Sequence, residues 1–156
     1  MEKRIMNCVK CTNKAIGFIE INQKSWPVCQ EHIPENTPLQ EPTPLQELYL
    51  NNHIISLQGK EYILFGGLLY LAHKQGLLMI HTEIIEHNRA EKFAIVKATV
   101  TGEKGTFSSY GDADPATCGK KIQDAYIRMA DTRATARALR FYCGIGITAL
   151  DELPTK

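Results

Sequence analysis

Two pairs of metal-binding side chains constrain the N-terminal part of this chain more than any other feature. The first pair is Cys8-x-x-Cys11 and the second is Cys29-x-x-His32, separated by the 17 residues 12–28. Two residues between ligands let a tight turn present both side chains to one tetrahedral ion, and Zn²⁺ accepts thiolate and imidazole ligands. The sequence therefore predicts a zinc module over residues 1–33. Four protein ligands leave no open coordination position, so the ion is expected to be structural.

The segment between the two pairs, KAIGFIEINQKSW, alternates enough to predict a short hairpin that turns at Asn22-Gln23. The sequence does not distinguish among several roles for the zinc module. The module could contact DNA through nearby lysines, cap the main domain or hold a partner protein. The lysines in question are Lys10, Lys14 and Lys24.

Composition indicates a soluble globular protein, with 44% hydrophobic and 22% charged residues in a chain of 156. The cysteine count is odd, and the N-terminus MEKRIMNC lacks the apolar core of an export signal. The longest apolar stretch, residues 62–72, is too short for a membrane span of about 20 residues. We therefore expect a cytoplasmic protein with no membrane association.

Prolines mark the boundary between the zinc module and the rest of the chain. The segment PENTPLQEPTP holds four of the seven prolines, each of which fixes φ and lacks a backbone donor. We interpret residues 34–58 as a proline-rich linker followed by a short helix, and residues 59–156 as the main domain.

Hydrophobic periodicity predicts the elements of the main domain. Residues 62–75 have helical spacing, with Gly76 as the expected left-handed stop. Residues 78–84 and 93–100 alternate as strands, and a third, shorter strand is expected at 106–110. A long C-terminal helix follows, whose apolar positions are expected to face the sheet: Ile122, Ala125, Met129, Thr132, Ala136, Leu139 and Cys143. The predicted fold class is α+β, an antiparallel three-stranded meander covered by this helix, in a β-β-β-α core.

Basic residues are concentrated on the C-terminal helix, although the whole chain has a net charge of only +1. Residues 118–140 contain six basic and two acidic residues, so this segment has a net charge of +4. The six basic residues are Lys120, Lys121, Arg128, Arg133, Arg137 and Arg140. Arg133, Arg137 and Arg140 fall on one side of the helix and repel one another, with almost no acidic neighbour at four residues. The pattern favours binding of an external anion, and phosphates of a nucleic acid suit planar guanidinium groups.

The main domain resembles the single-strand annealing proteins of the Rad-fifty-two type, including phage and archaeal relatives. The likeness covers about residues 60–152 and lies in YILFGGLLYLAHKQG, KFAIVKATVTGEKGTFSSYGDA and ADTRATARALRFYCGIG. It implies assembly into rings or filaments, and a basic groove that holds one DNA strand by its phosphates. Arg137 and Arg140 match groove positions and Arg128 an earlier basic position, whereas Gly67 and Ala136 stand where the family has basic residues. The zinc module lies outside the family pattern.

The expected function is therefore non-enzymatic binding and annealing of single-stranded DNA in recombination or repair, by a homo-oligomer that could also meet a single-strand-coating protein. An open meander leaves edge strands without a partner, which also favours self-association. One alternative is a zinc-containing regulator that reads duplex DNA with the long helix. A second is a Mg²⁺-dependent nuclease, although its candidate ligands do not converge by spacing; they are Glu83, Glu86, His87, Asp112 and Asp114.

Overall fold

The computed structural model describes residues 2–3, 7–21, 24–34, 39–120 and 122–154. The chain folds as two units, residues 1–61 and residues 62–156. The boundary lies close to the start predicted for the main domain. None of the helices among the described residues is long and apolar enough to cross a membrane.

The first unit is built on a two-stranded antiparallel hairpin and a small sheet. Strands β2 (Gly17–Ile21) and β3 (Lys24–Val28) form the predicted hairpin, although its turn at residues 22–23 lies outside the described residues. The small sheet has the order β1-β4-β5, in which the strands are β1 (Glu2–Lys3), β4 (Ile54–Leu57) and β5 (Lys60–Ile63). The last two residues of β5 already belong to the second unit. Phe18 and Ile19 of the hairpin are both buried.

The segment predicted as a proline-rich linker and a short helix has defined contacts where the structure describes it. The N–H of Gln40 donates to the carbonyl of Phe18 (2.9 Å), so the chain runs beside the hairpin. Helix α1 (Pro44–Leu50) then starts at a capping box, in which Thr43 and Gln46 each accept a backbone hydrogen bond from the other. Proline at the first helical position favours this start. Helix α1 agrees with the short helix predicted within residues 34–58. In the proline-rich part before it, Gln40 is bonded to the hairpin and Pro44 begins the helix, whereas residues 35–38 lie outside the described residues.

The second unit confirms the predicted fold class. Helix α2 (Phe65–Lys74) precedes three strands, which pair antiparallel in the order β6-β7-β8. These strands are β6 (Leu77–Asn88), β7 (Phe93–Gly102) and β8 (Gly105–Ala113), and the third is longer than predicted. The long helix α3 (Tyr126–Cys143) packs on the sheet. Gly76 adopts the expected positive φ (78°) after α2.

Alternation along β7 determines which side of the sheet is covered. Ala94, Val96, Ala98 and Val100 are all buried, while the residues between them are partly exposed. Since successive side chains of a strand point to opposite faces, the small and branched residues form the face under α3. This is the alternation that the sequence predicts.

Helix α3 is buried on almost all sides, so the predicted division into one core side and one exposed side is wrong. A Cβ added to Gly111 of β8 would lie 2.3 Å from the backbone of Ala130 and Ala134, so the sheet meets α3 at these small residues. Cys143 of the predicted sheet-facing set instead donates its thiol to the carbonyl of Leu68 in α2 (3.7 Å). The predicted set misassigns part of α3 because α2 also needs an apolar partner.

We expect Gly111→Ala to lower the free energy of unfolding by about 3 kcal/mol, because the added methyl group overlaps backbone atoms that cannot move aside. Urea unfolding at neutral pH measures the change. The matched control is Gly66→Ala, whose added Cβ meets nothing within 4 Å, and which should leave stability unchanged or slightly higher. Equal stability of the two variants would contradict the close approach of α3 and β8.

Candidate metal centre and arginine cluster

The four predicted metal ligands lie together in the first unit. All ligand atoms of Cys8, Cys11, Cys29 and His32 fall within 4.8 Å of one another. Among the described residues this is the one such group of three or more potential ligands. The prediction that the two distant pairs come together in one cluster that could hold a metal ion is confirmed.

The spacing of the ligand atoms fits a tetrahedral ion. The Sγ atoms of Cys11 and Cys29 are 3.6 Å apart, and Nδ1 of His32 lies 3.3 Å from Sγ of Cys29 and 3.8 Å from Sγ of Cys8. With metal–sulfur bonds of about 2.3 Å, the edges of a tetrahedron measure about 3.7 Å. These three distances are therefore close to the edges of a tetrahedron around one ion, and all four ligand atoms lie within 4.8 Å of one another.

Local backbone structure positions each ligand pair. The N–H of Cys8 donates to the carbonyl of Asn13 (2.8 Å), which closes the first turn. The N–H of Lys10 points at Sγ of Cys8 (3.4 Å). Cys29 follows β3 directly and caps a short 3-10 helix, Gln30–His32, that carries the last ligand. Both pairs are thus set by tight turns at one end of the hairpin.

The cluster favours negative charge at one sulfur. Burial opposes ionisation of Cys8, but hydrogen bonds from the backbone of Lys10 and Cys29 outweigh it and lower the pKa of the Cys8 thiol to about 6. For Cys11, the backbone N–H of Asn13 favours the thiolate, but burial and the neighbouring sulfurs of Cys29 and Cys8 raise its pKa. Crowded sulfurs of this kind repel each other as thiolates, and a bound cation relieves that repulsion.

Arg133 does not lie on an exposed surface, contrary to the prediction of a three-arginine row. Its residue is 4% exposed. Its guanidinium donates to the carbonyls of Asp112 (2.8 Å), Thr117 (2.9 Å) and Leu153 (3.2 Å). Backbone carbonyls therefore take the place of the phosphate that the sequence suggests.

Arg137 and Arg140 share the carboxylate of Glu152, in the short 3-10 helix Leu150–Glu152. Nε of Arg140 donates to Oε1 (2.5 Å) and its Nη2 to Oε2 (3.0 Å), while Nε of Arg137 also donates to Oε2 (3.1 Å). Arg137 further donates through Nη1 to the carbonyl of Tyr110 (2.6 Å). The side chain of Glu152 is only 4% exposed, so one buried carboxylate orients both arginines.

Glu152 is the residue that sequence reasoning missed. It lies 12 and 15 residues after its two partners, so a search for acidic neighbours one helical turn away cannot find it. Burial opposes its ionisation, but hydrogen bonds from Arg140, from the backbone of Ala149 and from Arg137 outweigh that effect and lower its pKa. The carboxylate is therefore charged at neutral pH.

The remaining predicted basic residues are scattered. Lys120 and Arg128 are exposed, and Lys121 lies outside the described residues. Arg128 precedes Arg137 by nine residues, about two and a half helical turns, and so points to the opposite side of α3. The structure therefore brings together only Arg137 and Arg140 as partly accessible cations.

The carboxylates weighed as nuclease ligands have other surroundings. Asp114 accepts hydrogen bonds from the N–H groups of Thr117 and Ala116 (both 2.8 Å), which lower its pKa and agree with the predicted turn role. Glu83 and Glu86 are exposed along β6. Cys143 is buried as predicted, and burial raises the pKa of its thiol to about 11, so it is a poor nucleophile.

Comparison with protein-family models, with curated proteins and with solved structures finds no match for this chain.

We expect Glu152→Gln to destabilise the second unit by about 1–3 kcal/mol at pH 7, because two partly buried arginines lose their counter-charge. Since the folded pKa of Glu152 is lowered, the stabilisation is present above the unfolded pKa and is lost as pH falls through the folded value. Urea unfolding at pH 7 and in steps below pH 4.5 measures this. The difference from wild type should shrink in acid. Asp151→Asn, next to it, is the control, and a loss that persists unchanged at low pH would contradict the role assigned to the charge.

Proposed function

We propose that this protein binds single-stranded DNA and anneals complementary strands in recombination or repair, without catalysis and as an assembly of several copies. Two features support the proposal: the resemblance over residues 60–152 and the β-β-β-α architecture of the second unit. The observation that carries it is the arginine pair. Arg137 and Arg140 share one carboxylate, so the cluster keeps one positive charge in excess.

The pair is held in a position that suits a phosphate. The side chain of Arg137 is 34% exposed, and its Nη2 has no hydrogen-bond partner among the described residues. Nη1 of Arg140 likewise has none there, and the side chain of Arg140 is 15% exposed. Because Glu152 already fixes both side chains, little further rotamer freedom is lost when a phosphate binds.

The small number of accessible arginines supports an assembly. With Arg133 buried, each copy offers about two phosphate-binding groups from α3, and the Glu152 charge weakens both. Binding of a strand then depends on many copies acting together, since linked weak sites gain strongly in combined affinity. In the part of the chain that the structure describes, β6 and β8 each pair only with β7, and such free strand edges favour the same conclusion.

The structure offers less support for the two alternatives, a regulator that reads duplex DNA and a nuclease. A helix that reads duplex DNA needs a broad free side for the major groove, whereas α3 buries residues around its circumference, among them Tyr126, Ala134, Leu139 and Tyr142. For a nuclease, no cluster of carboxylates with the geometry of a metal site is found among the described residues. Both alternatives therefore lack, in the part of the chain that the structure describes, the surface or the site that they need.

We propose that the ion in the Cys/His cluster is Zn²⁺ in a structural role. Three sulfurs and one imidazole nitrogen are donors that Zn²⁺ prefers, and four protein ligands complete its tetrahedral coordination. The four residues hold the two ends of the hairpin segment together, so the ion would stabilise the first unit and take no part in chemistry.

Elemental analysis of the purified protein should find about one zinc per chain. Cys29→Ser should lose the metal and unfold the first unit while the second unit keeps its thermal transition, because all four ligands lie between residues 8 and 32. Cys118→Ser, which removes a buried thiol outside the cluster, serves as the control and should retain the metal. Stoichiometric retention of zinc by Cys29→Ser would refute the assignment.

The arginine pair makes the DNA proposal testable. Arg137→Ala should weaken binding of an oligonucleotide similarly for all sequences. It should also reduce the slope of log K against log salt by about 0.7 for each phosphate of a single strand that the protein no longer neutralises. The exposed Arg128 is the matched control, and Arg128→Ala should change the slope less.

Glu152→Gln separates binding from folding in the same assay, because it removes the neutralising carboxylate but keeps both arginines. At a temperature where the variant remains folded, it should bind single strands more tightly than wild type and anneal complementary strands at least as fast. If Arg137→Ala leaves affinity and slope unchanged and Glu152→Gln binds no better, the arginines serve the fold alone and the proposal fails.

A further inference from the structure

An open cavity lies at the C-terminal end of α3. Its volume is about 580 Å³, and it is lined by Phe107, Arg140, Phe141, Gly144, Ile145 and Gly146. Phe141 is half exposed (49%), although Phe107 beside it packs edge-to-face on Tyr142. The lining is mainly apolar, so the cavity suits an aliphatic side chain better than water.

The sheet has a projecting apolar side chain at one edge. Leu78 is 75% exposed and Met79 next to it 51%. Both lie at the start of β6, where the register with β7 shifts between Leu77 and Met79 and pushes Leu78 out of the regular pairing. An apolar side chain this exposed on an edge strand is costly in water and favours contact with another protein surface.

Both edges of the three-stranded sheet are open where the structure describes them. β6 and β8 each pair only with β7. Along β8, the carbonyls of Tyr110 and Asp112 accept hydrogen bonds from Arg137 and Arg133. No side chain among the described residues donates to the carbonyls of Thr106 and Ser108, whose hydroxyls bond to Thr101 and Thr99 of β7. The beginning of β8, beside the cavity, is therefore the part that can accept another strand.

The strand registers place the projection and the cavity at the same level of the sheet. Leu77 and Gly105 both pair with Gly102, so β6 and β8 start at the same end, and they run parallel to each other. Ile80 and Phe107 both pair with Val100 and thus share the face under α3. A second copy that adds its β6 beside β8 in the same orientation therefore brings its Leu78 to the end of the sheet where Phe107 lines the cavity.

We propose that the cavity receives Leu78 of a second copy of this chain, whose β6 pairs in parallel with β8 near Thr106 and Ser108. This interface rests on the assembly that the proposed function requires. The contact is head-to-tail, since different patches meet on the two copies. Repetition gives a ring where the rotation closes and a filament where it does not.

Two variants block the two sides of this contact separately. Leu78→Asp removes the projection and keeps the cavity. Gly146→Phe fills the cavity and keeps the projection, because a Cβ at Gly146 meets nothing within 4 Å. Ile85→Asp, at an exposed apolar position (49%) farther along β6 where the register also shifts, is the matched control.

Sedimentation velocity of the full chain without DNA, over a range of concentrations, measures the outcome. Wild type and Ile85→Asp should exceed the 17.5 kDa monomer. Each blocking variant should raise the concentration needed for association at least about tenfold, the change produced by loss of one well-packed anchor. Circular dichroism confirms that each variant is folded.

Mixing the two blocking variants gives the decisive result. Leu78→Asp keeps an intact cavity and Gly146→Phe keeps an intact Leu78. An equimolar mixture should therefore form dimers, but nothing larger than a dimer. A symmetric contact between two β6 edges would give no rescue on mixing, and that outcome overturns the inference. A wild-type chain that stays monomeric also overturns it. Single-strand binding at monomeric concentrations is a separate measurement, so failure of the interface and failure of DNA binding are told apart.

Discussion

The carboxylate of Glu152 holds the C-terminal end of the second unit against α3. It accepts hydrogen bonds from Arg137, from Arg140 twice and from the N–H of Ala149. Arg133 adds a bond to the carbonyl of the next residue, Leu153. The segment that carries Glu152 is also tied to the start of the unit, where the N–H of Ile63 donates to the carbonyl of Thr148 (3.1 Å). A partly buried charge set of this kind costs desolvation, and only the dense hydrogen bonding offsets it.

Sequence patterns predict the fold well where one period dominates a segment. Alternation along β7 indicates the covered face of the sheet, and the spacing of two ligand pairs indicates the metal-binding cluster. Both signals are local or depend on residue types whose chemistry is specific. The short helix within residues 34–58 is predicted, but its capped start escapes prediction because the four prolines of residues 34–44 outweigh the capping signal at Thr43 and Gln46. The number of prolines indicates only how many backbone donors are missing and how many φ angles are fixed. It does not show that one of them, Pro44, occupies the first helical position, where proline is favourable.

The arginine row shows what periodicity leaves out. The spacing correctly puts Arg133, Arg137 and Arg140 on one side of a helix, but it carries no information on what packs against that side. Repulsion between them suggests an external anion. Within the chain, however, the compensation comes from backbone carbonyls, among them that of Asp112, and from a carboxylate beyond the end of the helix, at sequence separations that no helical rule covers. A row of like charges on a helix can therefore be compensated by residues distant in sequence. It becomes evidence for an external ligand only when such residues have been examined.

The partial neutralisation of the pair bears on how an annealing protein would work. Annealing requires that a strand be held by its backbone while its bases pair, and that the duplex then be released. Many individually weak phosphate interactions satisfy both needs, because their combined affinity falls steeply when a few of them are broken. A chain with two half-neutralised arginines per copy, repeated along an assembly, has this property. A row of three free arginines would bind a strand more tightly and would release the duplex less readily, so the carboxylate of Glu152 would serve turnover as well as the fold.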